Sequence, residues 1–320
     1  MLITEGLRWA ESALEESGVL GPRLESEVFL AEILSCDRAY LYAHPENPLS
    51  EEAEEVLRVW VARRSRGLPL AYILGKKEFW SLEFRVTPAV LIPRPETELL
   101  VEISIRKARE EKAKRIAEVG CGSGAVIVSL ARELVQTEFY GTDACREALG
   151  IARLNARSHG VEDRISFLHG DLLGPLEGRS LEGKLDQVVS NPPYVRRDEI
   201  SRLSPDIRLY EPRRALDGGR DGLFIYGRLI PQTKRFLKPG GWLFLEVGDG
   251  QGEAVSMLLA KTKGFEPAVL AFDGQGRERV LFARRKKLSG GPPQYWVTNS
   301  RQGQSTRRSV AERHRAKAPI

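Results

Sequence analysis

The chain has 320 residues, of which 42% are hydrophobic and 29% charged, and a formal net charge of +5, values that favour a globular protein of two domains over a disordered chain. No run of about 20 apolar residues is available to span a membrane, and the N-terminus lacks the features of a secretory signal, so we expect a cytoplasmic protein. The three cysteines, Cys36, Cys121 and Cys145, form no C-x-x-C pair, so neither a disulfide framework nor a metal site is indicated.

The segment 1–71 predicts a small helical domain. Apolar residues recur there at helical spacing, as in Leu7, Ala10 and Leu14, and turns that contain glycine or proline separate four or five such stretches. Residues 72–95 change to a strand-like pattern in which aromatic and polar residues partly alternate, which predicts a β-hairpin linker.

Apolar strands alternate with helices from residue 96 to residue 286, which is typical of a parallel α/β sheet. The predicted strands are 115–119, 137–142, 165–169, 185–190, 241–247, 266–271 and 279–283. The predicted helices between them are 125–134, 146–159, 222–237 and 251–262. We therefore expect an α/β fold with a Rossmann-like, doubly wound, seven-stranded and mostly parallel sheet, to which the hairpin joins the N-terminal helical domain.

The basic residues are concentrated at the C-terminal end. From Arg284 onward ten basic residues stand against one acidic residue, so the segment 1–283 carries a net charge of −4. A protein that holds a nucleic-acid backbone usually has its basic footprint on the folded surface, and nucleic acid is therefore not indicated as a partner. Residues 287–320 have loop composition and no apolar period, which predicts a disordered tail; a nucleic-acid-binding arm is the alternative.

A glycine-rich loop follows the first strand of the predicted sheet. Residues 118–124 read EVGCGSG, and glycines between a strand and a helix let the backbone approach a ligand and point helix N-terminal amides at it. The spacing is G-x-G-x-G rather than the G-x-G-x-x-G of most NAD sites, which suits S-adenosylmethionine because it has no pyrophosphate to cradle. A tight turn without ligand is the alternative. The candidate cofactor-binding residues here are Gly120, Cys121, Gly122, Ser123 and Gly124.

Two carboxylates follow later strands, at the same edge of the sheet. Asp143 comes after the second predicted strand, one helix and one strand beyond Gly124, and is placed for the hydroxyl pair of a ribose. Asp171 follows the third strand and is placed near an adenine edge, with Leu172 against the adenine face. A simple helix cap is the alternative for Asp171.

The tetrapeptide Asn191-Pro192-Pro193-Tyr194 directly follows the fourth strand. Its prolines fix φ at about −65° and remove two backbone donors, which leaves outward carbonyls as acceptors; the Asn191 side-chain oxygen adds another acceptor, and Tyr194 offers a flat apolar face. These groups predict a clamp that accepts two N–H bonds from a planar –NH₂ group and aims its nitrogen at a methyl donor on the neighbouring loop. Such catalysis depends on positioning and on excluding water rather than on a strong base. A simple Asn-Pro turn is the alternative.

On these residues the chain resembles class I S-adenosylmethionine-dependent methyltransferases that act on amino groups, and more narrowly the N5-glutamine methyltransferases of bacterial peptide-chain release factors. The resemblance covers roughly residues 5–285. It depends on further stretches, which are 72–75 (YILG), 91–98 (LIPRPETE), 211–216 (EPRRAL), 219–223 (GRDGL), 237–241 (LKPGG) and 246–248 (EVG). Glu118 stands where the family pattern has Asp, and Leu172 stands where it often has an aromatic residue.

The resemblance implies methyl transfer from S-adenosylmethionine, with S-adenosylhomocysteine as product, to the side-chain amide of the glutamine in the Gly-Gly-Gln loop of a release factor. It implies cofactor contacts for the glycine loop, Asp143, Leu172 and Asn191, and glutamine contacts for residues 191–194. It also places Arg94 and Glu96 beside the acceptor channel, although these two side chains could instead form a surface ion pair. The N-terminal helices would help to hold the release factor.

Two other functions use the same features. A DNA or RNA amino-methyltransferase would employ the same clamp on the exocyclic amine of a base. A cofactor-binding interaction protein without catalysis is a third option, against which the intact clamp argues.

Overall fold

Five helices form the first part of the computed structural model, which describes residues 1–287. They are α1 (Ile3–Glu16), α2 (Pro22–Ile33), α3 (Arg38–Ala43), α4 (Glu51–Ser65) and α5 (Leu70–Leu74). The apolar stripe that predicted them is buried, since Leu7, Leu14 and Phe29 pack into one core. Asp37 and Ser50 begin α3 and α4 by accepting hydrogen bonds from backbone N–H groups three residues further on.

A two-stranded hairpin follows the helices, as predicted from the aromatic alternation. Strands β1 (Lys76–Phe79) and β2 (Leu82–Arg85) pair antiparallel. The two turn residues between them, Trp80 and Ser81, have φ values of 54° and 55°, which is the pattern of a type I′ turn and matches the twist of the strands. The Trp80 N–H donates to Glu98 Oε1 at 2.8 Å and ties the hairpin to the start of the next helix. The proposed division between residues 71 and 72 falls inside α5.

A seven-stranded sheet organises the second part of the chain. Its strands are β3 (Arg115–Val119), β4 (Glu138–Asp143), β5 (Ile165–His169), β6 (Leu185–Ser190), β7 (Leu237–Glu246), β8 (Val269–Phe272) and β9 (Glu278–Arg284). Their spatial order is β5-β4-β3-β6-β7-β9-β8, and among these described strands β9 alone runs against the others. The predicted fold class, a doubly wound and mostly parallel α/β sheet with N-terminal helices, is confirmed.

Helices cover both faces of the sheet. They are α6 (Glu98–Glu111), α7 (Ala125–Glu133), α8 (Arg146–Ser158), the short α9 (Pro205–Tyr210), α10 (Phe224–Phe236) and α11 (Gly252–Thr262). Successive residues of a strand point to opposite faces, so Phe244 of β7 packs with residues of α6 and α7, and Leu243 packs with residues of α10 and α11. Burial on both faces explains why the central strands read as continuous apolar runs.

Two predicted strands need correction, and one helix is absent from the prediction. β7 begins at Leu237 rather than at residue 241, because Leu237 already pairs with Leu185 ahead of an irregularity in the ladder. β8 covers 269–272 instead of 266–271. The prediction omits α6, which buries Leu100, Val101 and Ile105.

Two further expectations concern the C-terminal tail and membrane-spanning helices. The predicted disordered tail, 287–320, lies outside the described residues apart from Lys287. Across residues 1–287, the longest helices are too short or too polar to cross a membrane.

Candidate active site

A cleft with a cavity volume of about 210 Å³ opens at the carboxyl ends of the central strands. The strand order reverses at β3, and ligands of doubly wound sheets bind in the crevice at such a reversal. Val119 at the end of β3 pairs with Ser190 at the end of β6, so the loops 120–124 and 191–194 start side by side. The predicted site residues that line the cleft are Arg94, Gly120, Cys121, Gly122, Ser123, Asp143, Asp171, Leu172, Asn191, Pro192 and Pro193.

The glycine loop turns its backbone toward the cleft. Gly122 has a φ of 51° and Gly124 a φ of 81°, a region that costs glycine little and other residues more. A Cβ on Gly124 would lie only 3.1 Å from the Cβ of Ala152 on α8. Because glycine has no Cβ, α7 and α8 can pack closely at this position. Gly124 therefore shapes the start of α7 and does not itself line the cleft. Asn155 holds the loop from behind, because its Nδ2 donates to the Ser123 carbonyl at 2.8 Å.

Asp143 is hydrogen-bonded to the glycine loop and lines the cleft beside it. Its Oδ2 accepts the Gly122 N–H at 2.9 Å, and its Oδ1 accepts the Cys145 N–H at 2.8 Å. Each carboxylate oxygen can accept a second hydrogen bond, so the side chain can still bind a pair of hydroxyl groups in the cleft. Asp143 thus keeps acceptors for a pair of hydroxyl groups, and its role in ribose binding stays a prediction.

Replacing Asp143 by alanine is expected to weaken S-adenosylmethionine binding by about 1–3 kcal/mol, the cost of a lost charge-assisted hydrogen bond. Isothermal titration calorimetry measures this change directly. Asp163→Ala, on an exposed turn outside the cleft lining, is the matched control and should bind like the unmodified chain. Equal affinity of the Asp143→Ala protein, or binding of NADH in place of S-adenosylmethionine, would contradict the assignment.

Glu118 places a buried carboxylate against the wall of the cleft. It is 2% exposed and accepts the Ile127 N–H at 2.9 Å, near the start of α7. Burial raises the pKa of Glu118 well above its usual value, and the nearby Asp143 carboxylate raises it further. A cation bound in the cleft would stabilise these two carboxylates. S-adenosylmethionine carries both a sulfonium and an ammonium group, so this donor set fits that cofactor.

Asp171 and Leu172 lie at the outer wall of the cleft. The Asp171 side chain is 59% exposed and forms an ion pair with Arg228 on α10. Leu172 is buried and has a φ of 49°, so the backbone turns sharply and presents an apolar side chain to the cleft. Both predicted residues are therefore at the cleft, and Asp171 has an ion-pair partner that the sequence did not indicate.

Asn191, Pro192 and Pro193 form another part of the cleft wall. The Asn191 Nδ2 donates to the Thr97 Oγ1 at 3.2 Å, which leaves its Oδ1 as the free end of the amide. Among residues 1–287, no N–H or hydroxyl donates to the carbonyls of Pro192 and Pro193. This wall consequently presents acceptors without competing donors.

Tyr194 lies behind this wall rather than in the cleft lining. Its hydroxyl donates to Glu246 Oε1 at 3.3 Å, and its carbonyl accepts from Gln251 Nε2 at 3.0 Å. Burial and the neighbouring Glu246 raise the pKa of Tyr194, so it remains a neutral donor. The structure therefore shows Tyr194 as an anchor of the loop, and the stacking contact predicted for it remains a prediction.

Arg94 and Glu96 do not form the ion pair that the sequence left open. Arg94 lines the cleft and pairs with Glu211, whose carboxylate is buried and also accepts the Ile92 N–H. Glu96 is exposed and does not line the cleft. Burial raises the pKa of Glu211, and Arg94 opposes that effect. This pair joins segment 91–98 to segment 211–216, which together close one side of the cleft.

Some residues with roles in this geometry had no predicted role. Thr97, Glu246 and Gln251 hold Asn191 and Tyr194 from behind. Two of them fall within stretches that carried the resemblance, 91–98 and 246–248, but nothing in the sequence indicated their contacts.

Two family models match the chain. The model described as the PrmC N-terminal domain matches residues 5–75, and the model described as the methyltransferase small domain matches residues 95–205. The first match covers the helices α1–α5, and the second covers the glycine loop and residues 191–194.

Curated proteins called release factor glutamine methyltransferase resemble the chain over most of its length. The protein of Geobacter sulfurreducens (strain ATCC 51573 / DSM 12127 / PCA) is 41% identical over 282 residues, which cover 88% of this chain and 96% of that protein. The protein of Moorella thermoacetica (strain ATCC 39073 / JCM 9320) is 42% identical over 289 residues, which cover 90% of this chain and all of that protein.

The fold is also similar to a solved structure, the hMettl16 catalytic domain in complex with the MAT2A 3′UTR hairpin 6. The TM-score is 0.50 at 16% identity, and the match covers 70% of this chain and 81% of that chain. At this level of identity the likeness concerns the fold alone.

Proposed function

This chain belongs to the release factor glutamine methyltransferase family, and we propose that it methylates the amide nitrogen of the glutamine in the Gly-Gly-Gln loop of a release factor by clamping that amide with residues 191–194. It is an S-adenosylmethionine-dependent methyltransferase. The observation that carries the proposal is the orientation of Asn191, a residue of the cleft lining whose Nδ2 donates to Thr97 and whose Oδ1 accepts from no donor among the described residues.

The clamp acts by accepting hydrogen bonds. A primary amide presents two N–H donors in one plane, and the Asn191 Oδ1 and the neighbouring proline carbonyls are acceptors without competing donors. Holding both N–H groups fixes the nitrogen in space and draws electron density onto it, which makes it a better nucleophile. The apolar proline rings beside it keep water out of the same volume.

The cofactor side of the cleft has complementary groups. When bound, S-adenosylmethionine supplies an electrophilic methyl group and leaves as S-adenosylhomocysteine. Asp143 would hold the ribose hydroxyls, Leu172 and Asp171 would contact the adenine, and Glu118 and the loop 120–124 would face the methionine part. Because Val119 and Ser190 are paired neighbours, these groups and the clamp share one cavity.

A competition between a protein substrate and a nucleic-acid substrate tests this proposal. The described residues 1–287 carry a net charge of 0, so they have no excess of basic charge from which nucleic-acid binding would gain counterion release. Reaching a paired adenine would also require flipping the base out of the stack. With labelled S-adenosylmethionine, an intact release factor and duplex DNA in one mixture, label is expected in the factor alone. Label in the DNA would favour the nucleic-acid alternative.

A further inference from the structure

A second cavity in the described part of the chain is lined by arginine side chains. Its volume is about 260 Å³, and its lining residues are Arg197, Ile200, Ser201, Arg208, Arg213 and Leu216. Half of these side chains end in a guanidinium group, and the proposed reaction uses none of them. We call this space the arginine cavity.

The arginine cavity has an excess of positive charge. Among residues 1–287, Asp217 is the acid that pairs with its guanidinium groups. The Asp217 Oδ2 lies 3.1 Å from Arg197 Nε and 3.7 Å from Arg213 Nε, and its Oδ1 accepts the Gly219 N–H at 2.9 Å. Arg208 has neither an ion pair nor a side-chain hydrogen bond within the same residues. Three guanidinium groups are thus balanced by one carboxylate.

Other acidic residues nearby in the sequence do not supply the missing negative charge. Asp198 and Glu199 form ion pairs with Arg196, and neither of them lines the arginine cavity. Asp206 precedes Arg208 by two positions on α9, and residues two apart point to different sides of a helix. The positive charge is therefore available to a ligand.

The arginine cavity has the chemistry of a site for an oxyanion. A guanidinium group is planar, only donates hydrogen bonds, and matches the paired oxygens of a carboxylate or phosphate. The Ser201 hydroxyl already donates to the Asp198 carbonyl at 3.2 Å, so the guanidinium groups are the remaining donors. Ile200 and Leu216 are each 7% exposed. An anion against these apolar side chains would be partly shielded from water, which strengthens its pairing with the guanidinium groups.

One short segment separates the arginine cavity from the cleft that contains the clamp. Pro212 and Ala215 line the cleft. Arg213 and Leu216, from the same segment, line the arginine cavity. The Leu216 carbonyl also accepts the N–H of Val195, the residue directly after the clamp, at 2.9 Å. A protein that inserts a side chain into the clamp therefore has its neighbouring residues beside the arginine cavity.

We propose that the arginine cavity binds a carboxylate side chain of the release factor, on the surface next to its Gly-Gly-Gln loop. An aspartate or glutamate of the factor would accept hydrogen bonds from Arg208 and from the remaining N–H groups of Arg197 and Arg213. This inference rests on the proposed function and deepens it, because it names a contact that holds the protein substrate outside the clamp.

A carboxylate of a protein suits this position better than a nucleic-acid phosphate does. Guanidinium groups bind both kinds of oxyanion, but residues 1–287 have no excess of basic charge along which a phosphate backbone would continue. The partner at the neighbouring cleft is, on the proposed function, a protein. Its anionic side chains are aspartate and glutamate.

A contact of this kind acts on the binding of the factor rather than on the chemical step. The three arginines lie outside the lining of the cleft, so they touch neither the cofactor nor the acceptor amide. The KM for the factor should therefore depend on them. It should also rise with salt concentration, because exposed charges are screened beyond about 10 Å at 0.1 M salt.

Neutralising Arg208 is the first test, because this side chain has no contact among the described residues whose loss would disturb the fold. Arg208→Gln is expected to raise the KM for the factor about tenfold, the effect of losing one charge-assisted hydrogen-bonded pair. Arg208→Lys keeps the charge without the planar fork and should lie between the two. Arg106→Gln is the matched control, because Arg106 is an exposed residue of α6 that lines neither cavity.

Reversing two charges should have a larger effect. A double variant with Arg208→Glu and Arg213→Glu places like charges against the carboxylate and should raise the KM for the factor about 10²-fold. Arg106→Glu should leave that KM within about twofold. The change should appear in the KM for the factor and not in kcat or in the KM for S-adenosylmethionine. Circular dichroism checks that the double variant is folded, and Arg208→Gln alone decides the question if it is not.

Inorganic phosphate distinguishes a carboxylate of the factor from a free anion. At constant ionic strength, phosphate should compete with the factor and raise its KM for the unmodified chain but not for the double variant. Stimulation of the reaction by phosphate would assign the arginine cavity to a free anion and overturn the proposal. An unchanged KM for the factor in the Arg208 variants, or an equal rise in the Arg106 variants, would also overturn it.

Failure of this inference is distinguishable from failure of the proposed function. If the unmodified chain transfers no methyl group to the release factor, the proposed function fails and the inference fails with it. If the unmodified chain is active and the Arg208 variants have the same KM for the factor, only the role of the arginine cavity is wrong.

Discussion

Replacing Asn191 by alanine should lower single-turnover methyl transfer to a release factor about 10²–10³-fold, the usual cost of removing one positioned polar group from an active site. The loss follows from the geometry. The Asn191 Oδ1 is the side-chain acceptor at the cleft, and without it the substrate amide keeps only backbone partners and more orientational freedom. Rapid mixing of enzyme, labelled cofactor and excess factor, followed by quenching, measures the chemical step itself.

The Asn191→Ala protein should otherwise behave as the unmodified chain does. Asn191 is only partly buried and its side chain bonds to Thr97 alone among the described residues, so the melting temperature should change little. Cofactor affinity should fall far less than the rate, because Asp143 and the glycine loop stay intact. Transfer within a few-fold of that of the unmodified chain would refute the clamp.

Much of the fold was predictable because its signals are local in the sequence. The bounds of β3, β5 and β6 coincide with the predicted strands, since each short run follows a charged residue and ends before glycine or asparagine. Helix α6 is absent from the prediction, although its buried apolar residues recur at helical spacing. The early start of β7 depends on its pairing with Leu185, and a register across strands is not visible in one sequence.

The candidate site likewise has parts that the sequence predicts and parts that it does not. The glycine loop and residues 191–194 are contiguous motifs, and the sequence predicted that they lie near each other because each follows the carboxyl end of a predicted strand. The groups that hold them are distant in sequence: Asn191 meets Thr97 from 94 positions away, and Arg94 meets Glu211 from 117 positions away. Such contacts exist only once the sheet is assembled. The sequence therefore left an ion pair between Arg94 and Glu96 open as an alternative, whereas the structure pairs Arg94 with Glu211.

Changing the acceptor glutamine of the release factor should abolish transfer altogether. A Gly-Gly-Glu factor keeps the length and planarity of the side chain but has an oxygen where the amide nitrogen should be. Its carboxylate has no N–H to donate to Asn191 Oδ1 or to the proline carbonyls, and its negative charge faces acceptors. A Gly-Gly-Ala factor removes the side chain beyond Cβ and serves as the second control. Both factors should still fold, because the change is confined to one side chain on an exposed loop.

Peptide mass spectrometry of the three factors after reaction is therefore the most direct measurement. The account predicts one added methyl group on the side-chain amide nitrogen of the glutamine in the Gly-Gly-Gln factor, and none in the Gly-Gly-Glu and Gly-Gly-Ala factors. A methyl group at any other residue, or equal methylation of all three factors, would contradict it.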